Sequence, residues 1–338
     1  MDWLSLALTP GVGPARFMRA FQEGAASPER VRAVLGPRIA AAYAETLADG
    51  VAERARAQAA AHGARILGLW EADYPEALRH LTDPPLVLYV RGALPPYEQS
   101  VAIVGTRRAS PWAKAWTRRT ARALAEAGVA VISGLARGID TEAHAGALEG
   151  GGLTVGVLGS GLDRIYPREN QALAERVTLV SELPFGEPPR PEYFPRRNRV
   201  VAALARAVLV VEAPPKSGAL ITAALALELG REVLAVPGRP TDPGAAGPNR
   251  LIQEGAGLVT NAAEVLEALN LAPTPALRPE LTEAEARLYA ALRAAGEALP
   301  DELAEELQLT AGEVLAGLAA LELKGLAQAL PGGRYAAV

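Results

Sequence analysis

The stretch Val101-Ala102-Ile103-Val104-Gly105-Thr106-Arg107-Arg108-Ala109-Ser110-Pro111 decides the fold. An unbroken apolar run, mostly β-branched, ends in glycine, two arginines follow, and Ser110-Pro111 reads as a helix cap with proline at the first helical position. This is strand, turn, helix, and the same grammar recurs downstream. Further strand candidates are Val129 to Ser133, Thr154 to Leu158, Thr178 to Ser181, Ala207 to Val211 and Glu232 to Val236. Their near-continuous apolarity is what a strand covered on both faces requires. Helical stretches lie between them, one running from Ser110-Pro111 to Gly128 and another from Ala219 to Leu229, ending at Gly230. The pattern predicts an α/β fold with a doubly wound, mostly parallel Rossmann-like sheet, which takes ligands beyond the carboxyl ends of its strands.

Working outward, Leu94-Pro95-Pro96 and the run from Ala272 to Pro279 read as linkers. They divide the chain into an N-terminal helical domain (1–65, helix-hairpin-helix-like or SAM-like), a lead-in to the sheet (66–96), the sheet domain (97–270), a Pro-rich linker (271–280) and a C-terminal domain (281–338). The lead-in holds two short strands, Ile66 to Trp70 and Leu86 to Val90. The last domain reads helix (Glu283 to Ala294), helix (Asp301 to Glu306), helix (Ala311 to Lys324) and a β-ribbon from Leu326 to Tyr335, the outline of a winged helix-turn-helix. No fixed-period repeat is visible.

Composition removes several classes. With 338 residues, half of them apolar and 21% charged, the chain builds a sizeable core and is not disordered. Cysteine is absent, which removes disulfide frameworks, thiol nucleophiles and Cys-rich zinc sites. Three histidines, His62, His80 and His144, are too few for a multi-histidine metal centre, and no metal or other cofactor is expected. The N-terminus lacks a basic n-region and the chain lacks a long apolar run, so a soluble cytoplasmic protein with no membrane partner is expected. The net charge of -4 is uneven: residues 97–270 carry nineteen basic against eighteen acidic side chains, and 281–338 carry four against nine.

The strand ends carry the chemistry. Gly105-Thr106-Arg107 follows the first strand, Ser133-Gly134-Leu135-Ala136-Arg137-Gly138 the second, and Gly159-Ser160-Gly161 the third. Pro214-Pro215-Lys216-Ser217-Gly218 follows the fifth and leads into a helix. Glycine admits close approach of backbone, and helix N-termini beside Arg or Lys attract phosphate, so several such turns at one sheet edge predict a phosphate-binding crevice. A dinucleotide cofactor is disfavoured because no G-x-G-x-x-G follows the first strand, and Pro214-Pro215-Lys216-Ser217 lacks the glycines of a Walker A loop. No G-x-S-x-G elbow appears.

Tyr193-Phe194-Pro195-Arg196-Arg197-Asn198-Arg199 sets two aromatics before three arginines, an interleaving that suits single-stranded nucleic acid. The same segment also reads as a tight turn with Phe194 in the core and its arginines paired with Glu182 or Glu212. Lys114, Arg118 and Arg122 fall at i, i+4, i+8 on one helix, a strand-contact stripe or a solvated face. Gly11, Gly13 and Arg16 sit in a candidate hairpin between helices, a phosphate contact or a plain connection. His144 lies one turn after Asp140 and reads as a buried, hydrogen-bonded histidine; Trp112 and Trp116 read as core.

Taken together, VGTRRAS, SGLARGIDTEAHAGAL, LGSGLDRIYPREN, SELPFG, FPRRNRVVAALA, VVEAPPKSGALITAALALELGREVLAVPG and GPNRLIQEGA resemble the DNA-processing protein A family (DprA, also called Smf) over nearly all of residues 97–270. The resemblance implies a homodimer that binds single-stranded DNA without sequence preference, protects incoming DNA in natural transformation, helps load the RecA recombinase, and turns over no substrate. It also implies roles residue by residue. Arg107, beside Gly105 and Thr106, contacts phosphate; Ser133, Gly134, Arg137 and Gly138 line the same pocket; Phe194 stacks on a base, with Arg197 and Arg199 anchoring its loop; Lys216, Ser217 and Gly218 close the far side. Trp112 departs from the tyrosine more usual in the family. The C-terminal domain raises a conflict, since the would-be recognition helix offers no arginine or asparagine to base edges and the domain is acidic, which predicts an auxiliary or protein-contact module.

A competing reading is a nucleotide phosphoribohydrolase of the lonely-guy type, with Glu228 as its acid/base group and Arg197 as phosphate anchor. Against it, Lys216-Ser217-Gly218-Ala219-Leu220-Ile221-Thr222 stands where those enzymes carry P-G-G-x-G-T-x-x-E.

Overall fold

A computed structural model describes residues 2–25, 27–271, 281–324 and 326–337. Two compact units divide near residue 274. The expected linker falls almost wholly on 272–280, outside the described residues.

The larger unit is organised by a nine-stranded sheet: β1 (Arg65–Gly68), β2 (Val87–Arg91), β3 (Ser100–Val104), β4 (Ala130–Ser133), β5 (Thr154–Val157), β6 (Thr178–Ser181), β7 (Ala207–Val210), β8 (Glu232–Ala235) and β9 (Gly257–Leu258), in the order β1-β2-β6-β5-β4-β3-β7-β8-β9. The six strands expected from apolar runs are β3 to β8, within a residue at each end. They pair with one another in parallel, and β9 adds a short parallel edge that its two residues, Gly257 and Leu258, did not announce. The two lead-in strands correct the outline at the other edge: β2 pairs antiparallel with both β1 and β6.

Alternation along β3 shows why both sheet faces are covered. Val101 and Ile103 enter one core with helices Pro111–Glu126 and Ile139–Glu149, while Ala102 and Val104 enter the other with helices Tyr193–Leu204 and Gly218–Glu228. Ile103 and Ile132 are fully buried, which stabilises the fold by roughly 1.5–3 kcal/mol each. The chain steps from β3 to β6 on one side and returns to place β7 on the other side of β3. This is a topological switch point, where the loops leaving β3 and β7 part to opposite faces and open a crevice.

The N-terminal segment forms five helices between Trp3 and Ala61. It is not set apart from the sheet: Leu4, Ala52 and Ala59 pack with Val87 and Tyr89 of β2 and with Phe185. Phe17, Val31, Ile39 and Tyr43 form a local core beside them. Trp116 is buried, with its indole N–H donating to the Thr260 carbonyl (3.0 Å), whereas Trp112 is 55% exposed. Four residues of helix turn the two rings to slightly different azimuths, and only one reaches the core.

The smaller unit has helices Glu283–Ala295, Pro300–Leu307 and Ala311–Leu323 and a three-stranded sheet of β10 (Glu297–Ala298), β12 (Tyr335–Ala337) and β11 (Ala327–Ala329). Thr282 with Glu285 and Thr310 with Glu313 form reciprocal capping boxes. Leu288, Leu292, Leu303, Val314, Leu318 and Leu321 fill its core. The outline is the expected winged helix.

His144 is fully buried on helix Ile139–Glu149. The Thr154 hydroxyl donates its one proton to the Val131 carbonyl (2.7 Å), so it accepts from Nδ1 of His144 (2.7 Å), and Nε2 is left bare. Burial, reinforced by the Arg197 charge, holds this imidazole neutral down to about 3. An unfolded chain takes up that proton near pH 6.5, so between these values the unfolded state binds more protons and stability falls as pH falls. Urea denaturation from pH 7 to pH 5 should show the parent losing about 1 kcal/mol more per pH unit below 6.5 than His144→Gln. Equal slopes would contradict this assignment; Asp140, present in both proteins, cancels in the comparison.

Candidate nucleic-acid interface

Sequence places two oppositely charged side chains near each other at the carboxyl ends of β4 and β5. Asp140 begins helix Ile139–Glu149, and its carboxylate accepts from the backbone N–H groups of Gly134 (3.0 Å) and Ala136 (3.3 Å). Arg197, 5% exposed on helix Tyr193–Leu204, donates from Nη1 to the carbonyls of Gly134 (2.5 Å) and Val157. Burial raises Asp140, against the pull of Arg197 and its backbone donors. Burial lowers Arg197 to about 10, against the attraction of Asp140. A Cβ at Gly134 would stand 2.3 Å from the Arg197 guanidinium, so a larger residue there would displace that buried side chain.

A second carboxylate fixes the first turn. Glu212, just past β7, accepts from the Ser110 backbone N–H (2.8 Å) with its side chain and from the Thr106 N–H (2.6 Å) with its carbonyl. Ser110 caps the next helix by accepting from the Ala113 N–H (3.1 Å). Gly138, at φ +76°, passes so close to this turn that a Cβ would meet the Thr106 carbonyl at 2.3 Å.

These turns enclose a cavity of about 590 Å³ at the switch point, lined by Gly105, Thr106, Arg107, Gly134, Phe194, Arg197, Ser217 and Gly218 from the expected set. Asp140, Tyr166 and Asn198 also line it and were not assigned to it from sequence. Tyr166 lies inside the quoted LGSGLDRIYPREN stretch, so the signal was present there. Asn198 donates to the Gly218 carbonyl (3.2 Å) and ties the two walls together. Arg107 is exposed; its guanidinium carbon rests 5.3 Å from the centroid of the Phe194 ring, and among the described residues no carboxylate pairs with it.

Other expected contacts are placed differently. Ser133 is fully buried, and its hydroxyl donates to the Ile103 carbonyl (2.6 Å), making it a strand tie. Arg199 points away from the cavity: it is buried against Glu182 (2.5 Å), with Asp83 at 3.9 Å, the turn-packing alternative for this arginine. Burial raises Glu182, countered by Arg199 and Arg196. Arg137 borders an adjoining recess and is ion-paired with Glu169. Lys216 is exposed at φ +64° and does not line the cavity. Arg118 pairs with Glu149 (2.5 Å) and Glu142 (3.4 Å), and Arg122 with Glu126 (2.8 Å), so the basic stripe is a solvated face; Lys114 is exposed on it. In the N-terminal hairpin, Arg16 donates to the Gly11 carbonyl (2.6 Å), while Gly11 and Gly13 are exposed. Glu228 ends helix Gly218–Glu228, about 9 Å of helical rise past Thr222 at 1.5 Å per residue, and is not among the residues that line the cavity.

The family model for DNA recombination-mediator protein A matches residues 65–270, and that for the DprA winged helix domain matches residues 260–333. The chain belongs to the DNA recombination-mediator protein A family. Within it, Protein Smf of Escherichia coli is 41% identical over 276 residues, 77% of this chain and 74% of its own. DNA processing protein DprA of Bacillus subtilis is 38% identical over 239 residues, 69% of this chain and 75% of its own. The X-ray structure of DNA processing protein A from Streptococcus pneumoniae has a TM-score of 0.69 at 31% identity, covering 79% of this chain and 97% of that one. The Helicobacter pylori family member, whose structure concerns its single-stranded DNA binding mode, has a TM-score of 0.54 at 31% identity, covering 61% and 95%. No described helix is long and apolar enough to cross a membrane.

Arg197 thus has a structural role at the sheet edge of this chain. Replacing it with methionine removes the positive charge that attracts the buried Asp140 carboxylate and strands two strand-end carbonyls, so chemical denaturation at pH 7 should register a loss of about 3 kcal/mol. A loss below about 1 kcal/mol would refute that role.

Proposed function

We propose that this chain is a non-enzymatic protein that binds single-stranded DNA without sequence preference across the cleft between β3 and β7. The carrying observation is the pairing of an exposed, carboxylate-free cation with an aromatic face: Arg107 over Phe194 at the open switch point. A strand offers a phosphate to the first and a base face to the second, and every base has a π-face, which makes the recognition sequence-tolerant. Gly105, Thr106 and Gly218 supply close backbone approach, with Ser217 and Asn198 on the facing wall. Membership in a recombination-mediator family, and the single-stranded DNA named for the Helicobacter relative, support the same reading. We read the finer role as a cytoplasmic homodimer that shelters incoming strands and delivers them to RecA during recombination and natural transformation.

The test is binding of a fluorescent oligothymidine of about 30 nucleotides at two salt concentrations, with duplex competitor. The parent should resist the competitor. Arg107→Ala, whose side chain is exposed and meets the protein at the Phe194 ring, should fold normally, bind more weakly and flatten the slope of log affinity against log salt by about 0.7. Absent binding, or an unchanged slope in the variant, would redirect attention to mononucleotide ligands.

The winged helix is, in this reading, an auxiliary or protein-contact module. The solvent face of its helix Ala311–Leu323 presents Glu313, Leu315, Ala316, Ala319 and Glu322, with Leu315 48% exposed and no basic group among them. Lys324 is engaged with Glu285 (2.7 Å). A chain ending at residue 274 should therefore keep its oligothymidine affinity within about threefold; a tenfold loss would contradict this assignment.

A further inference from the structure

Tyr166 sits on the loop after β5, on the border shared by the main cavity and the recess beside Arg137. The loop is pinned. Ser160 donates its hydroxyl to the Arg164 carbonyl (2.6 Å), and the buried Asn170 amide donates to the Leu135 carbonyl (2.9 Å) at the end of β4. Despite this anchoring, Tyr166 is 40% exposed, and its ring centroid lies 5.7 Å from that of Phe194 with the planes at 45°. A base inserted between two rings needs about 7 Å, two van der Waals gaps of about 3.5 Å, so these rings form a shelf and not a clamp.

Phe194 is the less accessible half of that shelf. The Arg107 guanidinium lies over its ring, and its edge packs against Gly159, where an added Cβ would stand 3.0 Å from Cδ1. We infer that Tyr166 is a base-stacking residue of this cleft, presenting the open ring on which one base of the strand lies while the neighbouring base or its phosphate engages the Phe194–Arg107 pair. This rests on the single-strand reading given above and assigns it a second aromatic contact. A surface tyrosine held by a pinned loop loses little conformational freedom on stacking, which favours binding over a mobile side chain in the same place.

The experiment compares the full chain with Tyr166→Ala and Tyr166→Phe on two fluorescent probes of about 30 nucleotides. One is oligothymidine; the other has the same backbone with abasic tetrahydrofuran sugars. Loss of one stacking contact corresponds to about a five- to hundred-fold drop in oligothymidine affinity for Tyr166→Ala. Tyr166→Phe, which keeps the π-face, should stay within about threefold, and both variants should bind the abasic strand as the parent does. A circular dichroism melt matching the parent establishes that the variants are folded. Unchanged oligothymidine affinity in Tyr166→Ala overturns the inference while leaving the cleft reading intact. An equal loss on both probes also overturns it, since the effect then runs through the backbone. A parent that binds neither probe overturns both readings together.

Discussion

The cleft depends on the buried charge pair at the ends of β4 and β5. Asp140 takes up the backbone donors of the Gly134–Ala136 turn, and Arg197 takes up the carbonyls of Gly134 and Val157. A turn emerging from a parallel sheet has polar backbone with no ladder to join, and burying it unsatisfied costs several kcal/mol. Here one carboxylate and one guanidinium satisfy opposite ends of the same turn, and each offsets the desolvation of the other. Each is nonetheless shifted toward its neutral form, because burial outweighs the pairing.

That arrangement changes what the glycine-rich turns do. Backbone N–H groups at such turns attract phosphate when they are open. In this chain the Gly134 and Ala136 donors already hold the Asp140 carboxylate, and those of Thr106 and Ser110 are held by Glu212. The two carboxylates hold the Gly134, Ala136 and Ser110 donors as an anion would, and the Glu212 main-chain carbonyl holds that of Thr106, so these donors are satisfied before any ligand arrives. Glycine serves them by letting elements approach, as Gly138 lets the Thr106 carbonyl pass. In the single-strand reading proposed above, recognition then falls to the groups that project past the turns, above all Arg107, Phe194 and Tyr166.

The sheet was legible because burial on both faces writes itself as unbroken apolar runs, and β3 to β8 were found from those runs alone. The crevice followed from where the runs end. The antiparallel edge was not legible: β1 and β2 alternate no differently from short parallel strands, and their direction is decided by pairing with β6. Nor was the sorting of arginines. Arg197 and Arg199 are two residues apart on one helix and read alike, yet one stitches strand ends and the other pairs with Glu182. Glu212 and Ser110 are 102 positions apart, a separation no local pattern spans. Tyr166 stood in a quoted motif without a role because a lone aromatic in a loop has no period to mark it.

Sorting the arginines sets the balance of forces at the cleft. Arg197 and Arg199 are buried and engaged, and Arg137 is tied to Glu169, which leaves Arg107 as the lining cation free of a carboxylate among the described residues. Each phosphate contact to a single strand contributes about 0.7 to the salt slope, so one such cation confers little salt dependence. A stacked base contributes about 1–3 kcal/mol that salt does not screen. On the proposed reading, two adjacent rings beside one arginine therefore make a site whose affinity comes mainly from π-surface and only secondarily from charge, which is how a chain of net charge -4 would hold a polyanion.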